Sequence, residues 1–127
     1  EAVSSGKQPT VEAFCRAIEA FEGGPGDASH RNNNPGNARW NPSGYMPIYG
    51  DVKCSPNGFA IFPTYALGWL YLVNMVKGMI HKRPDNTILQ FMTRYAPASD
   101  NNPTLAYAQF IAKRLGVTID YKMGNLI

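Results

Sequence analysis

The sequence predicts an α+β fold in which the helical and β parts are segregated along the chain. An amphipathic helix near the N-terminus is followed by residues 23–57, a stretch dense in Gly, Pro, Asn and Ser. Residues 65–82 are then apolar almost all round, which is typical of a helix buried in the middle of a domain. We therefore expect one helix, a small irregular β region and a helical bundle around a central apolar helix.

The composition indicates a single globular domain. The chain has 127 residues, of which 44% are hydrophobic and 17% are charged, and this length suffices to bury one sizeable core. We expect residues 1–127 to form one domain, with residues 1–9 as a loose polar lead-in.

The charge balance and hydropathy limit the partners. A net charge of +3 favours an anionic partner, although ordinary solubility explains it equally well. The chain has no basic run or basic stripe interleaved with aromatics, so we expect no nucleic-acid partner. The longest apolar stretch, Ala66 to Ile80, is shorter than the ~20 residues of a membrane span. We expect no membrane insertion, and a monomer.

The first predicted helix begins after Thr10, a good N-cap, and breaks at Gly23-Gly24. At 100° per residue one face is apolar, and it carries Val11, Phe14, Cys15 and Ile18, with Phe21 at its edge. The adjacent polar side carries Glu12, Arg16 and Glu19.

Glu22 lies about 20° from Val11 on this helical wheel, and so returns to the apolar stripe. A carboxylate there faces the core side, at the helix end where the macrodipole disfavours negative charge. Both effects raise the pKa of a carboxyl group, as a general acid at neutral pH requires. The alternative is that the helix frays at Gly23-Gly24 and Glu22 turns into solvent.

Short strands are predicted within and after the turn-rich segment, at Asn37–Trp40 and Gly58–Phe62. Three aromatic residues of this region either stack on sugar rings or pack over the small sheet: Trp40, Tyr45 and Tyr49.

The second half of the chain predicts three helices. Pro63-Thr64 opens one over Tyr65–Lys82, which is apolar almost all round and which we expect to lie buried in the middle of the domain. Asp85-Asn86-Thr87 caps the next, which carries Ile88 to Tyr95. The last runs from Thr104 to Leu115, where Gly116 ends it. Residues 96–102 form a loop, and the tail from residue 117 adds a strand or a final helical turn.

The two cysteines, Cys15 and Cys54, match no zinc or redox spacing. They are either two buried thiols or one disulfide. We expect the disulfide, which in a secreted protein would contribute about 4 kcal/mol.

Several catalytic chemistries are poorly supported. His30 and His81 have no ligand spacing, no G-x-S-x-G motif is present, and Gly23-Gly24 does not lead into a phosphate-binding loop. We expect no metal and no cofactor. A carboxyl acid beside a polar, aromatic-lined turn suits glycoside cleavage. The possible second carboxylates are Asp27 and Asp51, unless substrate assistance lets Glu22 act alone.

The chain resembles the "NNPGN" group of lysozyme-like peptidoglycan-cleaving domains of phages and bacteria. Three stretches carry the resemblance, over about residues 11–117: Glu22 followed by Arg31-Asn32-Asn33-Asn34-Pro35-Gly36-Asn37, then Gly58-Phe59-Ala60-Ile61-Phe62-Pro63-Thr64 with Gly68, and Tyr95-Ala96-Pro97-Ala98-Ser99-Asp100-Asn101-Asn102 with Tyr107 and Gly116.

The resemblance implies a lysozyme-like fold and cleavage of the β-1,4 bond between N-acetylmuramic acid and N-acetylglucosamine. It implies that Glu22 is the catalytic acid, at the end of the first helix and across a cleft from a bundle. It also implies substrate-binding residues, with Asn34 and Asn37 on the β side of the cleft, Thr64 near its floor and Tyr95 on the bundle side. A secreted or virion-associated protein with bacterial peptidoglycan as its partner would follow.

The chain departs from soluble lytic transglycosylases in two ways. Gly23 stands where a serine usually follows the glutamate, and no Gly-Leu-Met-Gln motif is present. Muramidase and lytic transglycosylase therefore both stay open. A hypothesis from a different class is a non-catalytic glycan-binding or virion structural domain, in which Glu22 only stabilises the turn.

Overall fold

Thr10 starts the first helix in the computed structural model, which describes residues 8–24, 26–41, 46–98 and 103–127. The Ala13 backbone N–H donates to Thr10 Oγ1 at 3.1 Å. The described residues form five α-helices, which are in chain order α1 Val11–Glu22, α2 Ala28–Arg31, α3 Tyr65–Lys82, α4 Ile88–Tyr95 and α5 Thr104–Leu115. They also form two strands, β1 Lys53–Cys54 and β2 Ala60–Ile61, and two 3-10 turns, Met46–Tyr49 and Met123–Leu126. The α+β prediction is confirmed.

Local capping signals explain the bounds of the later helices. Thr87 accepts a hydrogen bond from the Gln90 backbone N–H, and the Gln90 side chain accepts one from the Thr87 backbone N–H, forming a capping box before α4. α5 ends at Gly116, which adopts the left-handed conformation with φ 74°. The bounds predicted for α3 and α5 are those observed.

The chain divides into two compact units, Glu1–Ala17 with Val76–Ile127 and Ile18–Met75. Both boundaries fall inside helices, so α1 and α3 each contribute residues to both units.

In the first unit, an aromatic cluster packs between helices. Phe14 meets the Phe91 ring edge-on at 5.2 Å between centroids. Phe91 stacks on Tyr95 at 6.1 Å, and Tyr95 meets Tyr107 edge-on at 6.4 Å. The C-terminal segment closes against the start of α4, because the Ile88 backbone N–H donates to the Tyr121 carbonyl at 2.9 Å.

In the second unit, β1 and β2 pair antiparallel with Cys54 opposite Ala60. A small core of Met46, Tyr49, Ala60 and Phe62 lies beside this hairpin. The sequence predicted β2 within Gly58–Phe62 but missed β1, and of the strand predicted over Asn37–Trp40 only Arg39 forms a ladder bridge, to Phe59.

The prediction that α3 is buried in the middle of the domain is wrong for one side of the helix. Leu70 is 47% exposed, and the residues at helical spacing around it are exposed as well: Ala66, Asn74, Lys77 and His81. α3 therefore has one solvent-facing stripe, although its composition is mostly apolar.

The predicted disulfide is not formed in this structure. Both cysteines are free thiols, with Cys15 buried in α1 and Cys54 exposed on β1.

Three of the sequence interpretations fall on residues outside the described ranges: most of the N-terminal lead-in, the aromatic role of Tyr45, and residues 99–102 of the predicted loop. Within the described ranges, no helix combines the length and apolar character needed to cross a membrane.

Candidate functional site

The asparagine turn, residues 32–37, is joined to the strand that contains β2. The Phe62 backbone N–H donates to the Asn32 carbonyl at 2.9 Å, and the Ala60 N–H donates to the Ala38 carbonyl at 3.0 Å. Further along, the Trp40 N–H donates to the Gly58 carbonyl at 2.9 Å. The asparagine turn and the strand that contains β2 are separate motifs in the sequence, but hydrogen bonds connect them within the second unit.

Asn34 holds this arrangement together. It is only 1% exposed, and its Nδ2 donates to the carbonyls of Ala38 and Ala60, each at 2.9 Å. Its Oδ1 accepts from the Ala38 backbone N–H at 2.9 Å. A buried amide bonded in this way stabilises the turn, so Asn34 would influence a substrate through the backbone that it fixes. Its role in substrate binding stays a prediction.

Two asparagines of the turn adopt left-handed backbone conformations, which Asn tolerates better than most residues. Asn33 has φ 53°, and its Nδ2 donates to the Phe62 carbonyl at 3.0 Å. Asn37 has φ 50°, and its Oδ1 is buried without a hydrogen-bond partner among the described residues. A buried acceptor left in this way is costly unless something binds it. The role of Asn37 in substrate binding stays a prediction.

Helix α3 approaches the asparagine turn very closely at Gly68. A Cβ atom at this position would lie 1.8 Å from the Asn33 carbonyl oxygen and 3.2 Å from Pro35 Cδ. Only glycine permits such contact between a helix and a neighbouring backbone.

Glu22 is the last residue of α1, and its side chain is half-buried. The apolar stripe predicted for this helix is confirmed, because Val11, Phe14, Cys15 and Ile18 are all buried. The helix ends in the break predicted at Gly23, which has φ 134°.

The loop after Glu22 is closed by Asp27. Its Oδ2 accepts from the Gly24 backbone N–H at 2.8 Å and lies 2.4 Å from where a Cβ on Gly23 would stand. A serine side chain does not fit at position 23 in this conformation, which gives a physical reason for glycine after Glu22.

The two possible second carboxylates have different surroundings. Asp27 is exposed but held next to Gly23 by its bond to Gly24. Asp51 forms an ion pair with Lys53 at 2.8 Å, and its side chain is 82% exposed. An exposed pair of this kind is a surface feature.

Thr64 and Tyr65 begin α3. Thr64 is exposed, and its Oγ1 accepts from the Leu67 backbone N–H at 3.2 Å, as an N-cap does. The Tyr65 hydroxyl donates to Glu19 Oε2 at 2.7 Å. The His30 ring packs on the Tyr65 ring with 4.9 Å between centroids.

Sequence reasoning missed Glu19, Tyr65 and His30 as members of this region. Glu19 was placed on the polar side of α1, yet it is half-buried and bonded to α3. A helical wheel considers one helix at a time, so it contains no signal for a partner 46 residues away.

The remaining predicted residues lie elsewhere. Tyr95 belongs to the first unit, where it is half-buried in the aromatic cluster. Tyr49 is buried, and its hydroxyl accepts from Asn74 Nδ2 at 3.1 Å, so it packs in the small core. Trp40 is 38% exposed, and its stacking role stays a prediction.

The second unit therefore joins the end of α1, the asparagine turn and the start of α3 through hydrogen bonds and close backbone contacts. No protein-family model, curated protein or solved structure matches the chain.

Proposed function

We propose that this protein cleaves the β-1,4 glycosidic bond of bacterial peptidoglycan between N-acetylmuramic acid and N-acetylglucosamine, with Glu22 as the general acid. One observation carries the proposal: the second unit joins the end of α1 with Glu22, the asparagine turn and the Gly58–Thr64 segment. These belong to two of the three stretches that resemble lysozyme-like domains. The mainly helical fold with one small hairpin is compatible with the α+β class that the resemblance implies.

In the proposed reaction, Glu22 donates its proton to the glycosidic oxygen as the bond to C1 of the muramic sugar breaks. The oxygen leaves as a hydroxyl group on the neighbouring sugar. The Glu22 carboxylate then accepts a proton from the nucleophile that attacks C1. If the nucleophile is water, the product is a reducing sugar; if it is the muramic C6 hydroxyl, the product is an anhydro-sugar.

The two possible second carboxylates named from the sequence, Asp27 and Asp51, favour a mechanism that depends mainly on Glu22. Asp51 forms a solvent-exposed ion pair with Lys53. Asp27 already accepts the hydrogen bond from Gly24 that closes the loop after Glu22. Neither placement resembles the half-buried environment of Glu22. These placements of Asp51 and Asp27 favour attack by the muramic C6 hydroxyl, or substrate assistance, over hydrolysis with either of them as a second carboxylate.

Other residues of the second unit have proposed supporting roles. Asn37 Oδ1 would accept a hydrogen bond from a sugar hydroxyl or amide, which would satisfy a buried acceptor. The exposed face of Trp40 would stack on a sugar ring. The protein would act in a secreted or virion-associated setting, where its substrate is accessible.

The substitution Glu22→Gln tests the proposal, because it retains the shape of the side chain and removes the acidic proton. We expect it to lower the rate of cell-wall clearing by about 10²–10⁴-fold while binding to insoluble peptidoglycan, measured by co-sedimentation, is retained. Glu12→Gln is the matched control, since Glu12 is an exposed glutamate in the first turn of the same helix.

A Glu22→Gln variant that clears cell walls at the wild-type rate would contradict the assignment. Wild-type protein that sediments with peptidoglycan but never clears it would favour the alternative, a non-catalytic glycan-binding or virion structural domain.

A further inference from the structure

The hydrogen bond between Tyr65 and Glu19 joins two helices of the second unit. The Tyr65 hydroxyl, in the first turn of α3, donates to Glu19 Oε2, in the last turn of α1, at 2.7 Å. The bond is partly buried, so it is sheltered from competing water. This distance is the usual one for a hydrogen bond from a hydroxyl group to an oxygen acceptor.

The Tyr65 side chain is held in place from two sides. The His30 ring of α2 packs on it with 4.9 Å between centroids and 31° between planes. Its backbone is fixed by the start of α3, where Thr64 caps the helix. The phenol is therefore ordered independently of its bond to Glu19, and offers α1 a rigid donor.

The end of α1 needs such a restraint. Its last turn carries no basic side chain, and Glu19 and Glu22 lie where the helix dipole disfavours negative charge. The next residue, Gly23, has φ 134° and breaks the helix. Helix ends beside glycine fray readily, and a frayed end would move Glu22.

We propose that Glu19 and Tyr65 are positioning residues, whose hydrogen bond fixes the last turn of α1 and thereby the place of the Glu22 side chain. Glu19 and Glu22 lie three residues apart in the last turn of α1, so a restraint on Glu19 acts on the turn that ends in Glu22. The effect on catalysis rests on the proposed function, whereas the restraint on the helix end does not.

Glu19 has a competing role, as the second carboxylate that acts on the substrate. The geometry favours positioning, because Oε2 is already engaged by the Tyr65 hydroxyl. The two roles make opposite predictions for Glu19→Gln, which keeps an acceptor for Tyr65 and removes the negative charge.

The test compares four variants by kcat and KM on soluble peptidoglycan fragments. Tyr65→Phe keeps the ring against His30 but loses the hydroxyl, and Glu19→Ala loses the acceptor. We expect both to lower kcat by about 10- to 100-fold with little change in KM, and Glu19→Gln to stay within about threefold of wild type. Tyr49→Phe is the matched control, because it also removes a bonded hydroxyl from the second unit, and its kcat should not change.

Amide hydrogen exchange at Gly23 tests the restraint without any activity. The Gly23 N–H donates to the Glu19 carbonyl at 3.2 Å, so its exchange reports opening of the last turn. We expect exchange in Tyr65→Phe to be about tenfold faster than in the wild type, and Tyr49→Phe to leave it unchanged.

Unchanged Gly23 exchange in Tyr65→Phe would overturn the restraint, whatever the enzyme does. A Glu19→Gln variant as slow as Glu19→Ala would overturn positioning in favour of a catalytic carboxylate. If the wild type cleaves nothing yet the exchange responds as expected, the proposed function fails and the restraint stands.

Discussion

At the scale of single residues, the role of Asp27 can be tested, because its carboxylate lies beside Gly23, the residue that follows Glu22. If it serves to close the loop, an amide that still accepts from Gly24 N–H should replace it. We expect Asp27→Asn to clear cell walls within about threefold of the wild-type rate, and Asp27→Ala to lose about 1 kcal/mol of stability along with activity.

Asp51→Asn is the control for this comparison, since its exposed ion pair should contribute less than about 1 kcal/mol. Loss of activity in Asp27→Asn, with its stability and glycan binding intact, would show instead that the negative charge takes part in the reaction.

The cysteines differ in predicted reactivity. Burial raises the pKa of the Cys15 thiol from its usual 9.0 to about 12, and the nearby Glu12 carboxylate adds to this effect. Because the thiolate is the reactive form, the native protein at pH 8 should react with one equivalent of a thiol reagent, at exposed Cys54. The denatured protein should react with two.

Cys54→Ser should abolish the native reaction. If the native protein shows no reactive thiol until it is reduced, that result would support the predicted disulfide between Cys15 and Cys54. Since the folded state keeps the Cys15 proton to about pH 12 and the unfolded chain loses it near pH 9, this thiol should lower the stability as the pH rises above about 9.

At this scale, the sequence could predict what one helix determines by itself. The apolar stripe of α1 and the position of Glu22 near it follow from 3.6-residue periodicity. The partner of Glu19, Tyr65, lies 46 residues away, and Ala60, one of the partners of Asn34, lies 26 residues away. No local pattern specifies either of these two contacts.

Among the elements, the contact between α3 and the asparagine turn is the most constrained. Gly68→Ala would place a methyl group 1.8 Å from the Asn33 carbonyl oxygen. We expect this variant to lose about 2 kcal/mol or more of unfolding free energy and to lose cell-wall clearing, because the turn must move. Chemical denaturation and a clearing assay measure the two effects.

Gly78→Ala is the matched control on the same helix. A Cβ at this position meets nothing within 4 Å, so alanine should raise the helix propensity and stabilise the protein by up to about 1 kcal/mol. Equal effects of the two alanines would contradict the close approach at Gly68.

Element bounds were predictable where side chains carry the signal. Thr10, Thr87 and Gly116 mark helix ends by hydrogen bonding or by backbone conformation, and the predicted ends agree with the structure. α2 has four residues and β1 has two, which is too short for any periodicity. The exposed stripe of α3 was missed because burial depends on the neighbours of a helix as well as on its composition.

At the scale of the whole molecule, the sequence could predict the α+β class but not the division into two compact units. The order of helices and turns determines the class. The division depends on which residues meet in space, and its boundaries lie inside α1 and α3, where the helical pattern continues unbroken.

Whether the protein breaks the bond between N-acetylmuramic acid and N-acetylglucosamine by means of Glu22 can be measured by mass spectrometry of purified peptidoglycan digested with the wild type or with Glu22→Gln. We expect glycan fragments ending in anhydro-muramic or reducing muramic acid from the wild type, and none from the variant. Fragments with reducing glucosamine ends, equal fragments from both proteins, or none from either would contradict this expectation.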